Sequence, residues 1–373
     1  MKKLIFSLLF FVSFWTSFGI NIENLPSVKP AKTDSNAKDS TFTPSGKPTI
    51  QLFGNINYNL TQDATKKLGF NITRAYLGYE YQFSKQFLGK VVIDAGRPTS
   101  VGTIMVWDSL GNQMFVYDSS KEGSFYTMFL KFAYLEWAPT SKFKILAGSI
   151  PLNHFITQEK FWKYRYVAEM FQDRYLKTSS ADLGMIAYYK PSSMLGFDFA
   201  ITNGEGFRFD QDKFGDFKIG AGVDLTLFKN WKNRFYYDFQ KGQNSAQPEL
   251  QQTISFFTGY QWKEKLRIGA DLTWRINQNE FITQNTYGYS LFGIYDWNPK
   301  WGAMVRFDQI FSNRDLLTSP GWIYQVDGVG VIGGLQFTPI PRIKFSLNYQ
   351  GFFAYNSVSL FQHNMYLHVE FLW

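Results

Sequence analysis

From Thr49 onward the side chains of this 373-residue chain change character with a period of two. Ile50, Leu52, Ile56, Tyr58 and Leu60 alternate with Gln51, Asn55, Asn57 and Asn59; Leu266, Ile268, Ala270, Leu272, Trp274 and Ile276 alternate with Arg267, Gly269, Asp271, Thr273 and Arg275. A strand sends successive side chains to opposite faces, so each such segment has one apolar and one polar or charged face. About 16 such segments can be placed between residues 50 and 373. Their connections supply an independent signal. Ser84-Lys85, Pro139-Thr140-Ser141, Pro191-Ser192-Ser193, Lys263 and Asn298-Pro299-Lys300 are short, and they fall after every second segment. The intervening connections are longer, near 61–69, 96–124, 151–180, 204–216, 243–250, 278–284, 313–321 and 356–361. A half-buried soluble sheet has no reason to alternate in this way.

The expected fold class is therefore all-β: a transmembrane antiparallel β-barrel of about 16 strands with short periplasmic turns and long outer loops. In lipid every backbone N–H and C=O must be paired within the protein, which leaves helices and closed barrels. Closure also removes the unpaired edges that promote aggregation. At this strand number the interior is too wide for side chains to fill, so the polar face of each strand lines water.

Composition agrees. Aromatic residues make up 19% of the chain and charged residues 18%, yet mean hydropathy is −0.22. A polar inside and an apolar outside reconcile these values. The abundance of aromatics excludes a disordered chain, and the absence of Cys excludes a disulfide scaffold or Cys-ligated metal.

Met1-Lys2-Lys3 followed by the apolar run Leu4–Trp15 and the small residues around Ser17–Gly19 reads as a signal peptide over 1–19. Its removal takes two lysines from a formal net charge of +8. Residues 20–48, rich in Pro, Ser, Thr and Lys, read as a flexible periplasmic leader, and 49–373 as the barrel. At the other end, Met365, Leu367, Val369, Phe371 and Trp373 alternate to the last residue. A terminal aromatic on an alternating strand resembles the assembly signal of bacterial outer-membrane barrels, carried here by Phe371 and Trp373. The expected location is the bacterial outer membrane. The expected partners are its lipid and lipopolysaccharide, and the barrel assembly machinery acting through that last strand.

Several ordered blocks over residues 70–206 resemble the phosphate-selective porin O and P family: Phe70-Asn71-Ile72-Thr73-Arg74-Ala75-Tyr76-Leu77, Phe132-Ala133-Tyr134-Leu135-Glu136-Trp137, Ile145-Leu146-Ala147-Gly148, Ser180-Ala181-Asp182-Leu183-Gly184 and Asn203-Gly204-Glu205-Gly206. The resemblance implies a 16-stranded porin, often a homotrimer, with one loop folded inward at the constriction. The expected function is passive diffusion of small hydrophilic solutes, anionic or neutral, with a preference for anions, phosphate among them.

Loop 151–180 is the sharpest site candidate. Lys160, Lys163, Arg165, Arg174 and Lys177 sit beside Phe161, Trp162, Tyr164, Tyr166 and Phe171, and Gln158–Phe171 could form a short helix. Cations at a narrow bore favour anions. By parity the lumen also receives the basic residues Arg74, Lys90, Lys144, Lys190, Lys218, Arg234, Arg267, Arg275, Arg306 and Lys344. An equal number of inward carboxylates suggests a cross-strand salt-bridge lattice beside any role in selection. Trp137, Trp262, Trp297 and Trp301 lie at the short-turn ends, where an interfacial aromatic girdle belongs. No metal, cofactor or catalytic set is expected: His154, His363 and His368 do not converge, and no Ser-His-Asp arrangement can be drawn. The basic residues form no nucleic-acid patch. A sugar-preferring porin and a plugged barrel serving as adhesin or receptor are the alternatives.

Overall fold

The structure is a computed structural model describing residues 42–61, 67–96, 104–107, 113–117, 127–209, 215–241, 249–313, 327–355 and 361–373. The expected signal peptide and most of the expected leader lie outside these residues.

Sixteen antiparallel strands close into one barrel: β1 (Ser45–Asn59), β2 (Leu68–Gln82), β3 (Phe87–Gly96), β6 (Thr127–Thr140), β7 (Phe143–Pro151), β8 (Ala181–Tyr189), β9 (Leu195–Thr202), β10 (Lys218–Leu227), β11 (Trp231–Lys241), β12 (Leu250–Trp262), β13 (Leu266–Ile276), β14 (Thr286–Asp296), β15 (Trp301–Ser312), β16 (Gly328–Ile340), β17 (Ile343–Ala354) and β18 (Gln362–Leu372). A separate hairpin, β4 (Ile104–Trp107) with β5 (Gln113–Tyr117), lies in the connection between β3 and β6. Each expected segment appears as a strand, and short and long connections alternate throughout. Two short turns hold consecutive positive-φ residues, Phe228-Lys229 and Lys263-Glu264. That geometry matches the twist of the strands they join.

The last strand closes the barrel on the first. β18 pairs β1 from Gln51↔Leu372 to Asn59↔Asn364. The Ile50 N–H donates to the Trp373 carbonyl at 3.1 Å and the Trp373 N–H to the Ile50 carbonyl at 2.8 Å. β1 begins at Ser45, four residues inside the expected leader. Ser45–Pro48 pair only with β2, because β18 ends opposite Ile50. No strand among the described residues pairs with their other side, so Pro48 loses no ladder bond there.

Burial is inverted relative to a soluble protein. On β13, Leu272 and Trp274 are about half exposed, whereas Asp271 and Thr273 are buried. The same alternation runs round the wall, with large exposed apolar side chains outward and Arg, Asp, Asn, Ser and Thr inward. Trp137, Trp262, Trp297 and Trp301 are all exposed at the short-turn ends. No helix among the described residues is long and apolar enough to cross a membrane; the strands supply the apolar band.

Candidate functional site

The connection between β7 and β8 folds into the lumen. Its entry is set by Gly148, at φ +123°, where an added Cβ would lie 2.2 Å from the Ala133 carbonyl oxygen. Only glycine lets β7 approach β6 so closely while turning inward. The loop then forms α1 (Ile156–Trp162) and α2 (Phe171–Leu176). The single helix expected over Gln158–Phe171 is thus broken. Lys163 ends α1 in the left-handed region at φ 62°, and residues 163–170 run irregularly so that Tyr164, Tyr166 and Met170 can all face the wall.

That wall is prepared for them. Phe161, Trp162, Tyr164, Tyr166, Val167, Ala168 and Met170 form one buried cluster with Phe53, Phe257, Phe292, Ile294, Met304 and Ile332 of β1, β12, β14, β15 and β16. Phe171, Tyr175 and Leu176 pack on Ile310. Inward glycines make the holes. A Cβ on Gly259 would meet Phe161 at 2.8 Å, on Gly288 Phe171 at 2.5 Å, and on Gly330 the Tyr175 hydroxyl at 2.2 Å. Polar anchors complete the attachment. Arg306 Nη1 donates to the Glu169 carbonyl at 2.6 Å. Arg275 donates to the Leu176 carbonyl at 2.8 Å and the Thr178 hydroxyl at 2.6 Å. The Tyr175 hydroxyl donates to Asp308 at 3.0 Å, and Gln350 Nε2 to the Val167 carbonyl at 3.0 Å. At the loop's base His154 bonds Tyr236 and the Ser179 carbonyl. Burial pushes His154 down to about 3, so it stays neutral and acts as a pin.

The inward basic residues of the wall divide into two groups. Arg74 pairs with Asp94, Lys90 with Glu80, Lys144 with Glu136 and Lys344 with Glu370; these four keep partial exposure to the lumen. Arg234, Arg267, Arg275 and Arg306 point inward as expected but are largely withdrawn from the lumen, with Arg267 at the border of the short-turn chamber. The loop covers Arg267, Arg275 and Arg306, and all four are 6% exposed or less. Arg234 is locked between Asp198 and Asp224, and Arg267 pairs with Asp296.

The loop cations divide as well. Arg165 is held by three carboxylates: Glu159 at 3.1 Å, Glu169 at 3.2 Å and Asp173 at 2.9 Å. Burial opposes its charge, but these carboxylates outweigh that and raise its pKa. Burial likewise pushes Glu169 up, yet Arg165 and Arg74 bring it net below the usual carboxylate range. Asp173 goes the other way: burial, helped by Glu169 and Glu159 and opposed by Arg165, lifts it to about 6. Arg174 is half-buried and donates to Gln350 at 3.1 Å. Lys160, Lys163 and Lys177 are exposed. No carboxylate among the described residues lies within ion-pair distance of Lys160 or Lys163, or of the inward wall lysines Lys190 and Lys232. Burial and the neighbouring Lys144 lower Lys160; burial and Arg267 lower Lys163.

Two chambers flank the loop. One, of about 630 Å³, opens at the short-turn end beside Lys163, Lys263, Glu264, Lys265, Arg267, Asp296 and Lys344. The other, of about 400 Å³, faces the long-loop end beside Arg74, Arg165, Glu169, Arg174, Arg208 and Gln350. Parity alone did not reveal Arg208, which reaches this chamber from the β9–β10 connection, or Lys131. A β-bulge between Leu130 and Phe132 opposite Val92 and Ile93 shifts the register at Lys131, and its ammonium donates to the Tyr76 hydroxyl at 3.1 Å.

Asp173 gives a pH expectation. It is ionised above about 6 and protonated below, so lowering pH from 7.5 to 5 removes one negative charge from the long-loop chamber. Reversal potentials in a salt gradient should move toward chloride by several millivolts over that interval. Asp173→Asn should flatten the response, and a variant that kept the full response would exclude Asp173 as its source.

No protein-family model matches the chain, and no curated protein does. Solved structures do match. The outer membrane channel DcaP of Acinetobacter baumannii is 12% identical with a TM-score of 0.62, covering 88% of this chain and 97% of that one. Pseudomonas putida OprB is 10% identical with a TM-score of 0.61, covering 88% and 94%. OmpT of Vibrio cholerae, in a trimer form, is 10% identical with a TM-score of 0.55, covering 89% and 100%. The chain therefore has the barrel fold of outer-membrane porins; at these identities the likeness extends to fold alone.

Proposed function

We propose that this protein is a bacterial outer-membrane porin, a water-filled channel for passive diffusion of small hydrophilic solutes. The observation that carries the reading is the inverted barrel. Its outer surface is Leu, Ile, Phe and Trp, and its inner surface is paired charge around a loop that narrows the lumen without a continuous dry core. Lipid covers the first surface and water wets the second. The short-turn end faces the periplasm and the long loops face out. The Phe371–Trp373 end serves assembly of the closing strand, and a homotrimer is the assembly that the family resemblance implies.

The channel prefers anions. Lys160, Lys163, Lys190 and Lys232 are the support, because their charge is not cancelled by an ion pair and stays available to passing solute. Lys163 sits beside Lys232 and Lys344, and Lys160 beside Lys144 and Lys232. Phosphate is one anion such a channel would admit, as the resemblance to the O and P family suggests. A sugar preference is less well supported, since Phe161, Trp162, Tyr164, Tyr166 and Phe171 are buried against the wall and cannot stack on a pyranose ring.

The test is a planar bilayer. Purified protein should give ohmic unitary currents, and a KCl gradient should give a reversal potential on the chloride side. Absence of current would favour a plugged receptor, and a potassium-side reversal would remove the anion preference.

A further inference from the structure

We infer that the channel rectifies: at moderate ionic strength its conductance depends on the sign of the voltage. The inference rests on the porin reading above and concerns how charge is distributed along the pore axis.

The two chambers flanking the loop differ in charge. In the long-loop chamber Arg74 faces Asp94, and Arg165 faces Glu159, Glu169 and Asp173. With Arg174 and Arg208 added, four guanidinium groups stand against four carboxylates, and the Lys131 ammonium buried on Tyr76 adds one further cation nearby. At the short-turn end the account does not close. Lys144, Arg267 and Lys344 each have a carboxylate. Among the described residues, Lys160, Lys163, Lys190 and Lys232 have none within ion-pair distance; Arg234 is shared by Asp198 and Asp224, so one carboxylate left over beside Lys160 and Lys232 offsets one of these four charges and leaves an excess of three. The loop thus separates a nearly balanced compartment from a cationic one, with Lys160 on the last turn of α1 and Lys163 ending that helix on the cationic side.

Two such compartments in series behave differently under opposite fields. Chloride is enriched in the cationic vestibule and potassium is excluded from it. When the field drives chloride from that vestibule toward the long-loop end, chloride leaves the vestibule freely. Potassium arriving from the other side is stopped at its edge. Both ions accumulate at the loop, and conductance rises. Reversing the field depletes the same zone. The effect needs a Debye length comparable to the chamber, about 10 Å at 0.1 M salt, and fades when that length falls to about 3 Å at 1 M.

The experiment is a single-channel current–voltage curve in equal KCl on both sides. Orientation is read by adding a bulky maleimide to Ile282→Cys from one side; the chain has no other Cys, and Ile282 is exposed in a long-loop connection. In 0.1 M KCl the polarity that drives chloride toward the long-loop end should carry about 1.5-fold more current or greater, and the ratio should approach one in 3 M KCl. Lys160→Gln, Lys163→Gln, Lys190→Gln and Lys232→Gln combined should make the curve symmetric while keeping a channel. Symmetric wild-type currents in 0.1 M KCl, the opposite polarity, or asymmetry that survives the four substitutions would overturn rectification and leave the porin reading standing. No current from folded protein would overturn both.

Discussion

Replacing Phe161, Trp162 and Phe171 together with alanine is expected to raise unitary conductance by about twofold or more, because the loop that narrows the lumen loses its attachment. All three side chains are 5% exposed or less, and truncating a buried aromatic costs about 3–5 kcal/mol. The polar anchors alone, from Arg275, Arg306 and Gln350, each contribute about 1–3 kcal/mol at most. They also end on loop carbonyls whose positions the aromatic cluster sets. The barrel wall itself should survive, since its ladder and closure involve none of these residues. Gly330→Leu approaches the same end from the wall: the new side chain occupies the place of the Tyr175 hydroxyl and displaces α2. A lipid-facing control, Phe197→Ala, should leave conductance unchanged. If both lumen variants keep the heat-modifiable gel mobility of a folded barrel and still conduct like wild type, the loop does not set the bore.

Arg165→Met is expected to reverse ion selectivity at pH 7.5, from chloride toward potassium. The substitution removes the one cation that sits within 3.2 Å of Glu159, Glu169 and Asp173. Three carboxylates then face one chamber with Arg74, Arg174 and Arg208 as the remaining cations, one of which is already committed to Asp94. Arg165 is therefore not a free selector, as its place among the loop's basic residues first suggests, but the neutralising centre of an acidic cluster. Without Arg165 these carboxyls hold protons more tightly, since like charges resist joint ionisation. The reversal should accordingly weaken as pH falls to 5. Arg165→Lys should restore much of the selectivity, though one ammonium cannot fork to three partners as a guanidinium does. Reversal potentials for the three proteins across pH 5 to 8 decide the matter; an unchanged sign in Arg165→Met would show that the cluster lies off the permeation path.

The gap between parity and position is instructive at particular residues. Alternation placed Arg234, Arg275 and Arg306 inward correctly, yet it could not say that a loop distant in the chain would cover Arg275 and Arg306. Alternation also fails at Leu52-Phe53, Phe256-Phe257, Leu291-Phe292, Ile294-Tyr295, Met304-Val305 and Val331-Ile332, where apolar residues are adjacent. One member of each pair, Phe53, Phe257, Phe292, Ile294, Met304 and Ile332, is the wall's share of the loop-docking cluster. The inward glycines Gly259, Gly288 and Gly330 complete that signal. A water-lined wall needs neither apolar side chains nor holes on its inner face; a wall that receives a folded-in loop needs both. The signal was present in the sequence and becomes readable once a docked loop is considered.

The amino-acid sequence by itself determined the barrel, its strand number, the alternation of short and long connections and which face of each strand points inward. Those follow from a period of two and from the pairing that backbone groups require in lipid, and both are local. Only the tertiary structure decided where the β7–β8 loop lies, which cations it hides and which it leaves to solvent. Those outcomes depend on contacts between residues far apart in the chain, and on whether a charge has a partner in space.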